Sequence, residues 1–187
     1  MKTIKDLEER GVELNNIYCC DCLEALKRLE DNSVDLVVTS PPYNIGKKRF
    51  NSGFKKVSYN DYNDDLDIEE YFIFIQKTIK ELLRLAKYHV FFNIQENQNN
   101  KGIIKFILDN FDDYLKETFI WAKKNPPSHV VDTRCSNGYE YIFCLSKDNP
   151  ETKTFNYCNF SNSNGHYAKN VIIKNVNSCK NGHNFAF

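Results

Sequence analysis

No two of the seven glycines, at positions 11, 46, 53, 102, 138, 165 and 182, stand close enough to make a Gly-x-Gly turn. The sequence therefore offers no glycine-rich loop of the kind that lets a backbone approach a nucleotide cofactor. Net charge is also missing, since 25 Lys plus Arg balance 25 Asp plus Glu. Without a global positive field, any nucleic-acid contact has to come from local patches. Long apolar runs are absent too. Nothing approaches the roughly eighteen residues of a membrane span, and the N-terminus lacks the charged start and apolar run of a secretory leader. The chain reads as soluble and cytoplasmic, with no membrane partner. Its seven cysteines follow no regular spacing, and Cys19, Cys20 and Cys22 read as reduced thiols near a strand end. Cys158, His166, Cys179 and His183 lack the close cysteine pair of a zinc finger, so no metal is expected.

What is present suffices for one substantial core: 187 residues with 41% apolar and 14% aromatic side chains. Residues 1–15 read as a polar lead-in. A short apolar run at 16–20 suggests a first strand. Asp21 then suits the N-cap of a helix carrying Leu23, Leu26 and Leu29. The β-branched run Val34 to Thr39 predicts a short buried strand. From Asn44 to Asp65 no period holds, which predicts a long loop. Asp67 caps a helix with apolar residues at Ile68, Tyr71, Phe72, Ile75, Ile79, Leu82, Leu83 and Ala86, the stripe of a helix laid on a sheet. A strand at 88–94, a helix around 103–111 and two strands near 117–122 and 140–146 complete the regular pattern. Alternation of this kind predicts an α/β fold, mostly parallel, with an antiparallel hairpin at its edge. Residues 149–187 form a polar tail whose one apolar run is Val171 to Ile173.

Directly after the Val34 strand comes Thr39-Ser40-Pro41-Pro42-Tyr43-Asn44, at the carboxyl end of a parallel strand where such sheets bind ligands. Two prolines fix φ and remove two backbone donors, leaving carbonyls and side chains as acceptors. An acceptor corner suits an aromatic amine, whose lone pair attacks poorly until hydrogen bonds draw the nitrogen toward tetrahedral geometry. Ser40 Oγ and the Pro41 carbonyl are the candidate acceptors, and orientation then supplies much of the rate. Tyr43 is placed to stack on a base flipped out of a duplex. A tight proline turn exposing a tyrosine is the plain structural alternative.

These residues carry a resemblance. Asp21-Cys22-Leu23-Glu24-Ala25-Leu26, then Ser33 to Asn44, are similar to the opening of the permuted, β-type DNA amino-methyltransferases. The similarity continues through the helix from Asp67, Phe91-Phe92-Asn93-Ile94, Phe119 to Asn125, and Tyr139-Glu140-Tyr141-Ile142-Phe143. It covers most of residues 16–147. It implies a Rossmann-like methyltransferase sheet and methyl transfer from S-adenosylmethionine to the exocyclic amine of cytosine (N4) or adenine (N6) in double-stranded DNA. It implies that Ser40, Pro41, Pro42 and Tyr43 hold the amine and the base, and that Asp21, with Cys22 and Thr39, contacts the cofactor. A serine before Pro-Pro-Tyr leans toward cytosine in that family, though adenine is also seen.

In that family the glycine-rich cofactor loop lies C-terminal to everything matched. The resemblance therefore implies an incomplete sheet over 16–148, a hydrophobic edge, and a second polypeptide as one source of the missing loop. Residues 149–187 would be a target-recognition remnant. Asn44, Lys47, Lys48, Arg49, Lys55, Lys56, Lys123 and Lys124 are the candidate DNA contacts, a basic loop and flank suited to phosphates. The same charges also fit a solvated surface balanced by acids at 61–70. Two other functions stay open: a silent DNA-binding or regulatory subunit, and an RNA or protein amide methyltransferase. Trp121, in an apolar strand, reads as core.

Overall fold

The computed structural model describes residues 5–6, 11–46, 63–126, 137–147 and 169–175. The strand expected at 16–20 is reduced to a single bridge at Tyr18, and Ile17 is 73% exposed. Strand backbone needs a neighbour along its length, whereas here the Tyr18 hydroxyl folds the stretch onto itself by accepting the Glu13 N–H at 2.9 Å. Asp21 caps α1 (Cys22–Leu26), its Oδ1 accepting the Glu24 N–H at 3.0 Å.

The turn after α1 leads into β1 (Val34–Thr39). Arg84, near the end of α2 (Ile68–Leu85), fastens that turn. Its guanidinium donates to the carbonyls of Leu26 and Leu29, each at 2.9 Å, and to Asp31 at 2.6 Å. One end of β1 is thereby fixed against α2, which steadies the corner at its other end. The helix is capped by Asp67 as expected, and Tyr71, Ile75, Ile79, Leu82 and Leu83 form its buried stripe. Ile75 and Ile79 have no exposed surface, and burying such a side chain contributes about 1.5–3 kcal/mol.

β2 (Ala86–Ile94), α3 (Ile103–Phe111), a 3-10 turn at Asp112–Tyr114, β3 (Leu115–Lys123), β4 (Tyr139–Leu145) and β5 (Val171–Lys174) follow. The sheet order is β1-β2-β4-β3-β5. β1 pairs with β2 and β3 with β5 in parallel, while β4 runs antiparallel to β2 and β3. All strands but β4 therefore share one direction, in keeping with the α/β class and the antiparallel β3–β4 pair expected. The apolar run of the tail adds β5 beyond β3, so the antiparallel pair expected at the edge lies inside the sheet, between β2 and β5.

Helices α2 and α3 cover one face, packing on Val90, Phe92 and Ile94 of β2 and Phe143 and Leu145 of β4. Among the described residues no helix covers the other face. Strands of parallel sheets are ordinarily buried on both sides, but on the edge strand β1 Leu36 is 50% and Val38 74% exposed. The run expected to be buried is thus open on one side, because side chains alternate and Val37 is the β1 residue that reaches the helix-side core. No described helix is long and apolar enough to cross a membrane.

Candidate active site

The carboxyl ends of β1, β2, β3 and β5 meet the amino end of β4 along one rim, where open α/β sheets bind ligands. The Ser-Pro-Pro-Tyr corner leaves β1 at this rim and is pinned by side chains from three segments. Tyr71 Oη donates to the Pro42 carbonyl at 2.9 Å. Asn97 and Asn100 donate to the Tyr43 carbonyl at 2.6 and 2.9 Å. The Asp64 carboxylate accepts the N–H groups of Asn44 and Ile45 at 2.7 and 3.1 Å. Burial pushes the Asp64 carboxyl above its ordinary range, while the two backbone bonds pull it down.

Asn44, expected among the DNA contacts, has a different task. It is 1% exposed and adopts a left-handed backbone with φ 54°. Its Oδ1 accepts the Leu66 N–H at 2.7 Å, and its Nδ2 donates to the carbonyls of Leu66 and Asn99 at 3.0 and 3.3 Å. A buried amide with both ends engaged cannot reach DNA; Asn44 is a post that joins the corner to the chain before α2. Gly46 completes the turn at φ +79°, where a Cβ would stand 2.5 Å from Asn99 Nδ2.

Around Ser40 lies a chain of polar groups. Ser40 Oγ donates to Tyr43 Oη at 2.7 Å. Tyr43 Oη in turn faces two acceptors, Asn93 Oδ1 at 2.8 Å and Glu140 Oε2 at 2.9 Å. The other oxygen of Glu140 accepts from Lys123 Nζ at 2.5 Å, with the two side chains 8% and 6% exposed for lysine and glutamate. Burial, then the Glu140 charge, pushes the Tyr43 phenol far above its ordinary range, so it stays protonated. The Tyr43 ring packs against the helix-side core, and Tyr43 is not among the residues that line the cavity beside Ser40. Lys123, expected on the DNA surface, is turned inward to Glu140 and lies 5.5 Å from the centre of the Trp121 ring.

The cavity holds about 650 Å³ and lies on the face that no described helix covers; Thr39, Ser40 and Asn93 supply polar edges, and Phe91, Trp121 and Ile142 the apolar floor. Trp121, read from the sequence as core, is a cavity wall because it alternates with Ile120 and faces away from α2 and α3. Lys124 is exposed at the end of β3. Lys47, Lys48, Arg49, Lys55 and Lys56 lie outside the described residues. Asp21 and Cys22 stand exposed at the start of α1, with one Asp21 oxygen committed to the helix cap. Among the described residues no group of His, Cys, Asp and Glu is arranged to hold a metal ion.

Sequence reasoning assigned no role to Asn93 or Glu140. The available signal was a lone acid inside Tyr139-Glu140-Tyr141-Ile142-Phe143 and a lysine ending the apolar β3 run. The register that sets Trp121 opposite Glu140 and Asn93 opposite Ile142 puts these groups on one face of the sheet.

Residues 34–186 match a protein family described as DNA methylase, N6_N4_Mtase. The type II methyltransferase M.HinfI of Haemophilus influenzae is 32% identical over 148 residues, covering 77% of this chain and 41% of the relative. The type II methyltransferase M.BglII of Bacillus subtilis is 31% identical over 151 residues, covering 76% and 38%. The chain thus spans about two fifths of the length of these relatives. Among solved structures, PvuII DNA methyltransferase, cytosine-N4-specific, superposes with a TM-score of 0.57 at 19% identity, covering 88% of this chain and 58% of that one. A match over most of the sequence, on a shared fold, makes this chain a member of the N6/N4 DNA methylase family.

Proposed function

We propose that this chain carries the amine-binding half of a DNA methyltransferase acting on N4 of cytosine or N6 of adenine. The observation that carries the reading is the state of the corner's acceptors. The carbonyls of Pro42 and Tyr43 are already engaged, while Ser40 lines the cavity and would offer Oγ to an incoming NH₂ group, with the carbonyl of buried Pro41 as the second acceptor. Two such bonds orient the amine and draw its lone pair out of the ring. The cavity beside Ser40 is large and apolar-floored enough for one flipped base, and Phe91 and Trp121 replace part of the stacking lost from the duplex. Exposed Lys124, with Lys47, Lys48, Arg49, Lys55 and Lys56, would meet the phosphates.

S-adenosylmethionine, when bound, supplies a sulfonium methyl group to the oriented nitrogen. Asp21, exposed with a carboxylate oxygen beyond its cap bond, and Cys22 and Thr39 would hold its adenosine side. The methionine end calls for a close backbone approach, and no pair of glycines in this sequence makes one. A second polypeptide that covers the open sheet face and brings a glycine-rich loop would complete the site. A second reading is a regulatory subunit that grips DNA without transferring methyl.

Incubating the full chain with labelled S-adenosylmethionine and duplex DNA, alone and with the product of any adjacent reading frame, separates the two. Nucleoside digestion should yield labelled N4-methylcytosine or N6-methyladenine. Binding of DNA with no label in either mixture would select the silent subunit. Label in RNA or peptide amide instead of DNA would displace both.

A further inference from the structure

We infer that Glu140 is a positioning residue: with Asn93 it fixes the Ser40 hydroxyl so that lone pairs, and not its proton, face the target amine. The inference rests on the function proposed above and adds the device that sets the direction of the hydroxyl. A serine hydroxyl is both donor and acceptor and rotates to suit its neighbours. Toward an amine the two choices have opposite effects. Accepting an N–H enriches the nitrogen lone pair, whereas donating to that lone pair blocks the attack.

The network removes the wrong choice. Tyr43 Oη has one proton and two acceptors in reach, Asn93 Oδ1 at 2.8 Å and Glu140 Oε2 at 2.9 Å. Neither partner can return a proton. Asn93 Nδ2 is committed to the Tyr141 carbonyl at 3.0 Å, which fixes the amide with its oxygen toward Tyr43. Glu140 takes the Lys123 ammonium on its other oxygen, and an ionised carboxylate only accepts. The Tyr43 proton therefore points away from Ser40. Ser40 must donate to Tyr43 Oη, and its lone pairs remain for the cavity. The order runs from amine to serine, serine to tyrosine, tyrosine to carboxylate, each link polarising the next.

The test uses the full chain in four forms: unaltered, Tyr43→Phe, Glu140→Gln and Ser40→Ala. Proton NMR with selectively labelled serine and tyrosine reads the hydroxyl protons directly. The unaltered chain should show a slowly exchanging Ser40 hydroxyl resonance, absent in Ser40→Ala, with a cross-peak to Tyr43. Tyr43→Phe, which keeps the ring packing, should lose it to water exchange. Glu140→Gln should speed exchange of both hydroxyl protons. A Ser40 proton that exchanges freely in the unaltered chain, or one indifferent to both substitutions, overturns the inference. In methyl transfer, Glu140→Gln should lower kcat on the order of tenfold or more while KM for DNA changes by less than about threefold. A rise in KM with kcat retained counts against positioning. Absence of transfer by the unaltered chain together with the product of the adjacent reading frame would instead count against the proposed function, and the resonances still decide the direction of the hydroxyl.

Discussion

Replacing Lys123 by Met should show how strongly the buried pair supports the corner. The ammonium sits 2.5 Å from Glu140 Oε1, and the side chains are only 8% and 6% exposed. Methionine keeps the length and apolar stem of lysine but leaves the Glu140 carboxylate buried with the Tyr43 hydroxyl as its remaining described partner. Breaking a buried pair by removing one member costs about 3–5 kcal/mol, chiefly from the uncompensated charge. The Lys123 contact with the Trp121 ring adds about 0.5–1 kcal/mol to the loss. With a urea dependence of about 2 kcal/mol per molar, the unfolding midpoint should fall by about 1.8–3 M. The double variant Lys123→Met with Glu140→Gln removes both charges and should recover much of that loss. Equilibrium unfolding in urea, followed by far-ultraviolet circular dichroism, measures both. A single-variant shift below about 0.5 M, or a double variant less stable than the single, would refute the buried-charge reasoning.

Ser40→Ala, which removes the proposed acceptor, should reduce kcat of a transfer-competent mixture by about 10²–10³ and leave DNA binding intact in a filter assay. Gly46→Ala and Gly11→Ala both place a Cβ at positive φ, but only the Gly46 Cβ meets a neighbour, 2.5 Å from Asn99 Nδ2. Thermal melting should therefore fall more for Gly46→Ala, beyond the roughly 1–2 kcal/mol of left-handed strain that the two share; equal losses would contradict the close packing of the corner. Burial pushes the Cys144 thiol from 9.0 to about 12. The protonated thiol is favoured in the fold, so its contribution to stability is complete below pH 9 and lost as pH rises through about 12. At pH 8.5 a maleimide should label exposed Cys19 within minutes and Cys144 only after denaturation, as read by peptide mass spectrometry.

The fold was legible wherever periodicity was strong. The stripe from Tyr71 to Leu83 announces a helix on a sheet, and the β-branched run at Val34 announces a strand, because these patterns have one low-energy use. The run at 16–20 failed since, among the described residues, it keeps only the single bridge at Tyr18, and pairing partners are a tertiary fact. The corner at Ser40 was legible as chemistry because two prolines restrict what the backbone can offer. The fates of Asn44 and Lys123 were not. A polar residue looks the same in sequence whether it faces DNA or a buried partner, and only the packing of Leu66 and the β3–β4 register distinguish the two. Glu140 was hidden for the same reason.

A structure of the chain bound to duplex DNA containing its target site would show whether the corner at Ser40 grips an extruded base. One base should stand outside the helix, its exocyclic nitrogen within about 3 Å of Ser40 Oγ and its ring in the cavity floored by Phe91 and Trp121. A base still stacked in the duplex, or one seated away from Ser40, would contradict that placement.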